Sequence, residues 1–295
     1  MANSISSEIT ISSAVSVLTD LLAPVSDFTL NITNEIVGRQ STVKVPIVRT
    51  SSVARDYAYG TGYNTTADND VDTVNVDLVE RIKPFHLVDN DMNKSPLTIQ
   101  SYAKQNAHEF GRYLLSLVFG AIQADLDLAT PNITAITSVN AGSVALSNIQ
   151  AMQASLDSAG APMDRHLVMN SSVNSALMPS SIETFGPGVL QGGRFGNLYG
   201  MSTHVTSVTG GSDVDDVHTF AGSSDALVIA NRIPEVSGTS TLEEYTPFTV
   251  EGIGLQCAYR RYYDAAKGEH FGAFTTIFGC SLAKPEHLAV ITKAS

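Results

Sequence analysis

Residues 96–129 carry one helical pattern that a strand does not accommodate. Ile99, Tyr102, Ala103, Phe110, Tyr113, Leu114, Leu117, Val118, Ala121, Ile122 and Leu126 recur at intervals of three and four, so they share one face of an α-helix. Ser95 followed by Pro96 supplies an N-cap and a proline at the first helical position. Thr130-Pro131 stops the run. The predicted helix has roughly 30 residues and is about 45 Å long at 1.5 Å per residue. That is well above the mean helix of a globular domain, and it makes this segment a stiff beam. Gly111 and Gly120 inside it each cost about 1 kcal/mol relative to Ala and mark close approach of another backbone.

The flanking segments differ in kind. In residues 1–40, Ile9, Ile11, Val15, Leu18, Leu21 and Leu22 approximate a helical stripe that Pro24 ends. A short amphipathic helix followed by an extended arm is expected, with little core of its own and a need to pack on something else. In residues 41–90, Val43, Val45 and Ile47 alternate with other residues, and Thr73 to Val79 alternates again. Between these two strands lie Tyr57-Ala58-Tyr59-Gly60-Thr61-Gly62-Tyr63-Asn64 and the acidic patch Asp68-Asn69-Asp70-Val71-Asp72. The pattern is a protruding hairpin with a long polar tip, and a loop this long is seldom idle.

After the beam, residues 132–245 alternate short helices and strands. Ser147-Asn148-Ile149-Gln150 fits a capping box, Ile149, Met152 and Leu156 form a buried stripe, and Gly160 and Pro162 end that helix. Arg165 to Met169 reads as a strand, Ser172 to Met178 as a short helix before Pro179, and residues 186–194 as a flexible loop. Leu198 to Val205 and Ala226 to Ala230 are further strands. Residues 246–295 are strand-dominated. Ile253, Leu255, Cys257 and Tyr259 alternate, Asp264 to Glu269 turns, and Phe271, Ala273 and Thr275 alternate toward Ile277 and Phe278. A turn and a last strand close the chain over Leu282 to Ile291. The fold class is α+β.

Composition and motif spacing exclude several functions. The 295 residues suffice for one large or two modest domains. Only 16% are charged and the net charge is −12, which disfavours a sequence-specific nucleic-acid binder because phosphate neutralisation needs clustered Lys and Arg. The longest apolar run, Leu114 to Ile122, is far short of a membrane span. No basic region precedes the apolar stretch Val15 to Ala23, so no export signal is read there. Cys257 and Cys280 read as two buried thiols in a reducing cytosol.

Each catalytic or metal pattern tested breaks down at a named residue. Asp68, Asp70 and Asp72 open like a Ca²⁺ loop, but Thr73 and Val79 stand where Gly and Glu are needed. Asp213, Asp215, Asp216 and His218 follow Gly210-Gly211-Ser212 and read as an exposed turn. His108-Glu109 is followed four residues after the His by Arg112 rather than a second ligand. Gly192-Gly193-Arg194-Phe195-Gly196 lacks the Lys-Ser/Thr of a phosphate loop, and Ser202 lacks a nucleophile elbow. The seven histidines show no paired ligand spacing. No catalytic, cofactor or metal-ligating residue is expected, and the protein is read as no enzyme.

The order of elements, arm then hairpin, solitary helix, mixed region and strand-rich return, resembles the major capsid protein of tailed bacteriophages, the HK97-like capsid fold. Local stretches are similar too: Arg165-His166-Leu167-Val168-Met169-Asn170 before a short helix, Gly193 to Val205 as a glycine-spaced loop entering a strand, and Lys284-Pro285-Glu286-His287-Leu288-Ala289-Val290 as the closing turn and strand. The resemblance implies an N-terminal arm at residues 1–40, an E-loop hairpin at 41–90, and a peripheral domain with its spine helix at 91–131. It implies an axial domain at 132–245 and peripheral-domain strands at 246–295.

It also implies a shell subunit that self-assembles as hexamers and pentamers around double-stranded phage DNA, in a virion assembled in the host cytoplasm. An encapsulin-like compartment holding a cargo enzyme is the alternative. About forty residues precede the hairpin, so a scaffold is expected to be a separate protein, beside portal and decoration proteins and without a membrane. DNA contact is expected to be non-specific, at local basic spots such as Arg260-Arg261. Residues 1–40 and 41–90 are expected to carry most intersubunit contact. Tyr57, Tyr59 and Tyr63 at the tip, with Lys44 and Arg55, are the candidate contact residues, because exposed tyrosines suit interfaces. Lys44 is also where covalent Lys–Asn crosslinking of the family would be sought, although no sequence rule identifies an Asn partner.

Overall fold

The computed structural model describes residues 7–32, 40–50, 69–88, 99–185, 190–191, 194–208, 217–235 and 244–294. The beam is present as a 28-residue helix, Ile99–Leu126. It is numbered α2, because a first helix, α1, spans Ser7–Ser26. The Ser95-Pro96 cap lies outside the described residues. The exit from α2 is held by Asp125, a buried carboxylate that accepts from the Asn132 and Ile133 backbone N–H groups at 2.9 and 2.8 Å and from Asn132 Nδ2 at 2.7 Å.

The chain then alternates between two six-stranded sheets. The strands preceding α2 are β1 (Thr29–Asn31), β2 (Thr42–Thr50), β3 (Asn69–Asp77) and β4 (Val79–Val88). After it come β5 (Thr134–Ser138), helix α3 (Leu146–Ser158), β6 (Arg165–Asn170) and helix α4 (Ser171–Phe185). Short pieces β7 (Leu190–Gln191), β8 (Arg194–Phe195) and β9 (Asn197–Leu198) lead to β10 (Met201–Thr206). The remaining strands are β11 (Val217–Ser223), β12 (Leu227–Arg232), β13 (Glu244–Val250), β14 (Leu255–Asp264), β15 (Glu269–Leu282) and β16 (Leu288–Thr292). The first sheet runs β1-β12-β15-β14-β13, with β4 also paired to β15. The second runs β5-β16-β11-β6-β10-β9.

Helix α2 lies on the first sheet. Phe110, Leu114, Val118 and Ile122 are buried with Cys257, Tyr259, Phe274 and Phe278 in one cluster. The second sheet is covered on both faces, which is why β11 is buried along its whole length and β16 reads as a nearly continuous apolar run. Leu167, Met169, Ala289 and Ile291 face Ile149, Met152 and Leu156 of α3 and Val173 and Leu177 of α4. On the opposite face Val168, Phe220 and Val290 join the cluster around α2.

Several local expectations change. The N-terminal amphipathic helix is present, and what it packs on is this subunit itself: Ala14, Leu18, Leu22, Val25 and Phe28 are buried in the main cluster beside α2. Gly111 permits this, since a Cβ there would meet Leu21 Cδ2 at 2.7 Å and Leu18 Cδ2 at 3.0 Å. Pro24 lies inside the last turn of α1 and Pro179 inside α4, because a proline removes one N–H without obliging the helix to stop at that residue. Helix α3 starts at Leu146, and it is the Asn148 side chain that reaches back to accept from Ala145 N–H at 2.8 Å, not Ser147 that caps.

Leu198 to Val205 is a tight hairpin rather than one strand. Tyr199 and Gly200 both have positive φ, 52° and 79°, as a two-residue turn of primed type requires. In β15, Gly272, Phe274, Thr276 and Phe278 are buried, and so is Thr275 of the alternating set, while Phe271, Ala273 and Ile277 are half-buried. The closing strand β16 joins the second sheet beside β11 and β5, while β12 joins the first.

Candidate functional site

The hairpin β2–β3 is a ladder of nine residue pairs, from Thr42↔Asp77 to Thr50↔Asn69. At roughly 3.3 Å per residue it is about 30 Å long. Among the described residues its two strands form a sheet with one another and with no third strand. The base is anchored: Val45, Ile47, Val76 and Leu78 bury against Ile32, Val228, Ala230 and Ala283. Leu78 N–H donates to Ser41 O at 2.7 Å and Thr42 Oγ1 to Asp77 Oδ1 at 2.8 Å. Gly279 of β15 lies under this base, where a Cβ would come 2.3 Å from the Asp77 carbonyl oxygen. Beyond Leu78 the chain leaves the hairpin, and Val79–Val88 pairs with β15.

Of the candidate contact residues, Lys44 is exposed on β2 opposite Asn75. Arg55, Tyr57, Tyr59 and Tyr63 lie outside the described residues. The acidic patch is not wholly tip: Asp70 and Asp72 sit within β3, opposite Arg49 and Ile47, because the ladder continues to Asn69. Asp213, Asp215 and Asp216 lie outside the described residues, whereas His218 is buried in β11 rather than exposed in a turn. Arg260-Arg261 does not form one basic spot. Consecutive strand residues point to opposite faces, and Arg260 is engaged by Glu80 Oε1 at 3.4 Å and by the Tyr245 ring.

Two exposed surfaces were missed. At the free end of the β14–β15 hairpin, Tyr262 stacks on Phe271 at 4.8 Å between ring centroids, and Tyr263 meets the His270 ring at 4.6 Å in a tilted pair. Tyr262 and Tyr263 remain 42% and 37% exposed. The signal was available, since a Tyr-Tyr doublet puts an aromatic on both faces of a strand. The second surface lies between α2 and β4. There Tyr113, whose hydroxyl accepts from Arg81 Nη1 at 3.0 Å, borders a groove with Ile82, Lys83 and Glu109.

Two polar clusters hold segments remote in sequence. Asp225, between β11 and β12, accepts from Ser223 Oγ at 2.6 Å and Lys284 Nζ at 2.8 Å, and pairs with His287 Nδ1 at 2.9 Å. Burial raises its pKa, but these partners outweigh that and hold it at about 2. Asp27, His166 and His204 form the other cluster, with side-chain ligand atoms within 4.8 Å of one another. Burial also works against the Asp27 carboxylate, yet the two imidazoles hold it far below the usual carboxylate range. Asp27 in turn raises His166. Burial pushes the thiols of Cys257 and Cys280, both free, up to about 12, so neither is a ready nucleophile. No described helix is long and apolar enough to cross a membrane.

This architecture is that of phage capsid subunits: the chain has the α+β, HK97-like capsid fold. It is similar to the capsid structure of the cyanophage P-SCSP1u over 91% of this chain and 87% of that one, at 14% identity and a TM-score of 0.60. The capsid of the native GTA particle covers 94% and is covered over 91%, at 14% identity and a TM-score of 0.59. The virus-like particle from Pyrococcus furiosus covers 95% and 98%, at 12% identity and a TM-score of 0.54. No protein-family model and no curated protein sequence matches the chain.

Proposed function

We propose that this chain is a major capsid protein, a subunit that self-assembles into the icosahedral shell of a tailed phage and encloses its double-stranded DNA. The observation that carries this reading is the β2–β3 ladder on a capsid fold. A two-stranded ribbon is marginal in water without a further covering layer, and among the described residues the apolar anchorage of this one is at its base. A neighbouring subunit supplies the missing cover. The stacked Tyr262–Phe271 edge and the Tyr113 groove are further contact faces of the kind aromatic-rich interfaces use.

In this reading β4, α2 and the first sheet make the peripheral part and the second sheet the axial part. Tyr57, Tyr59 and Tyr63 at the tip reach a neighbour, with Lys44 and Arg55 along the flank. Scaffolding, portal and decoration proteins are separate chains, and assembly takes place in the host cytoplasm. With a net charge of −12 and Arg260 already engaged, the shell contains DNA without gripping it.

Negative-stain microscopy and sizing of the expressed chain, alone and with a candidate scaffold, test this. Closed megadalton particles support it, and a discrete monomer or dimer under both conditions overturns it. Particle content separates the two shell readings: nuclease-protected double-stranded DNA from infected cells supports the phage capsid, and a protein cargo supports a compartment.

A further inference from the structure

The Asp27–His166–His204 cluster has no part in the assembly reading and is built like a ligand set. Asp27 follows the end of α1, and its two oxygens are divided: Oδ1 accepts from Ser26 Oγ at 3.3 Å, while Oδ2 lies 2.6 Å from His204 Nε2 and 3.2 Å from His166 Nδ1. In the parallel β6–β10 pair His204 stands opposite Val168, two residues beyond His166. Both imidazoles therefore rise from one face of the sheet, with ring centroids 6.3 Å apart. Phe28, itself fully buried, packs edge-on against His166 at 5.9 Å and fixes that side of the cluster.

The far nitrogen of His166 matters as much as the near one. Nε2 lies 3.2 Å from Asp164 Oδ1, so an Nε2–H donated to that carboxylate leaves Nδ1 bare. Nδ1 is buried with no well-aligned hydrogen bond and lies 3.2 Å from Asp27 Oδ2; protonated it makes an ion pair there, and in the neutral tautomer its lone pair faces the carboxylate. In that neutral tautomer two electron-rich atoms face each other, and a metal cation between them takes the place of the proton. A carboxylate on the outer nitrogen of a histidine is also the arrangement that orients metal-ligating imidazoles.

We propose that Asp27 Oδ2, His166 Nδ1 and His204 Nε2 form a binding site for a divalent cation of the Zn²⁺ class, with Asp164 as the positioning residue of His166. Two imidazoles and one carboxylate suit Zn²⁺ and its neighbours in the first transition row rather than Ca²⁺ or Mg²⁺. Tetrahedral bonds of about 2.0–2.1 Å separate ligand atoms by roughly 3.3 Å. The His166 distance already meets this, and the His204 distance opens to it by a small rotation of the Asp27 carboxylate. His204 also lines an open cleft of about 770 Å³ beside Asp20, Pro24 and Ser202, which provides entry and leaves the fourth position to solvent. The bound ion ties the end of α1 to β6 and β10. This proposal does not depend on the shell reading.

The test uses the full chain, stripped with a chelator and titrated with ZnCl₂ by calorimetry, and with Co²⁺ as a spectroscopic probe. One ion per chain, a Tm that rises on Zn²⁺ addition and a four-coordinate Co²⁺ spectrum are expected. His204→Gln and Asp27→Asn should each weaken Zn²⁺ binding by more than about 100-fold, and Asp164→Asn, at a carboxylate 80% exposed and so harmless to folding, by about 10–100-fold with the spectrum retained. His108→Gln, at an exposed histidine on α2, should change nothing. Binding that survives in His204→Gln, a six-coordinate Co²⁺ spectrum in the unmodified chain, or no Zn²⁺ binding beyond weak surface association overturns the proposal. In the last case a proton fills the gap.

Discussion

The described part of the N-terminal segment, residues 7–32, and the β2–β3 hairpin make an instructive pair. By sequence pattern both are elements with little core of their own. Folded, they differ sharply. Helix α1 has an apolar stripe wide enough to be covered, and it lies against α2 over Gly111 with Leu18, Leu22 and Phe28 fully enclosed. Among the described residues, the hairpin strands pair with no third strand, and the apolar neighbours they find lie at the base. A helix satisfies its own backbone and needs only a surface. A two-stranded ribbon needs a further covering layer as well. Neighbour contact stands as a proposal for the hairpin, whereas the described part of the N-terminal segment packs into the subunit's own core.

The contrast can be broken most severely at the hairpin. Replacing residues 51–68 by Asn-Gly joins the Thr50↔Asn69 pair through a two-residue turn. Shells should be lost altogether, while urea unfolding of the subunit stays within about 0.5 kcal/mol of the parent, as for surface changes. Closed particles from this variant would place the neighbour contacts elsewhere.

Phe28→Ala tests the other side. Phe28 packs edge-to-face on Phe220 at 5.1 Å, so its removal should cost about 3–5 kcal/mol in urea unfolding. A cost below about 1 kcal/mol, the range of ordinary surface changes, would return the segment to the status of an arm.

Gly279→Ala probes the junction between hairpin and sheet. The added Cβ strikes the Asp77 carbonyl, and a loss of about 1–3 kcal/mol is expected from overpacking. Wild-type thermal stability for that variant would mean that the hairpin base is free to shift.

The smallest effect is a pH dependence at Asp225, which clamps the β11–β12 turn to the closing turn. Its folded-state pKa of about 2 lies below the ordinary 3.8. The stability it contributes is thus present above pH 3.8 and lost as pH falls through about 2. Asp225→Asn should flatten the stability profile in that window, as read by thermal melts between the two values. An unchanged profile would remove the clamp from the account.

Much of the fold was legible because its strongest signals are local. The 3.6-residue period of α2 and the Ile149-Met152-Leu156 stripe of α3 hold in the structure. So does the strand from Arg165. The order of elements then pointed to the capsid fold. The buried face of β15 was not legible, because Phe271, Phe274, Ile277 and Phe278 put apolar side chains on both of its faces and alternation alone does not choose between them. The Tyr262–Phe271 edge was passed over for a similar reason: exposure of an aromatic pair depends on where the sheet ends. The Asp27–His204 pair spans 177 positions, and no spacing rule reaches that far.

The sequence by itself determined which segments are helix or strand and in what order they occur, because periodicity and capping act over a few residues. Only the tertiary structure decided that the first helix is core, that β12 and β16 change sheets, and that Asp27 meets two histidines. Those outcomes turn on which remote surfaces bury one another, and that is a property of the whole packed chain.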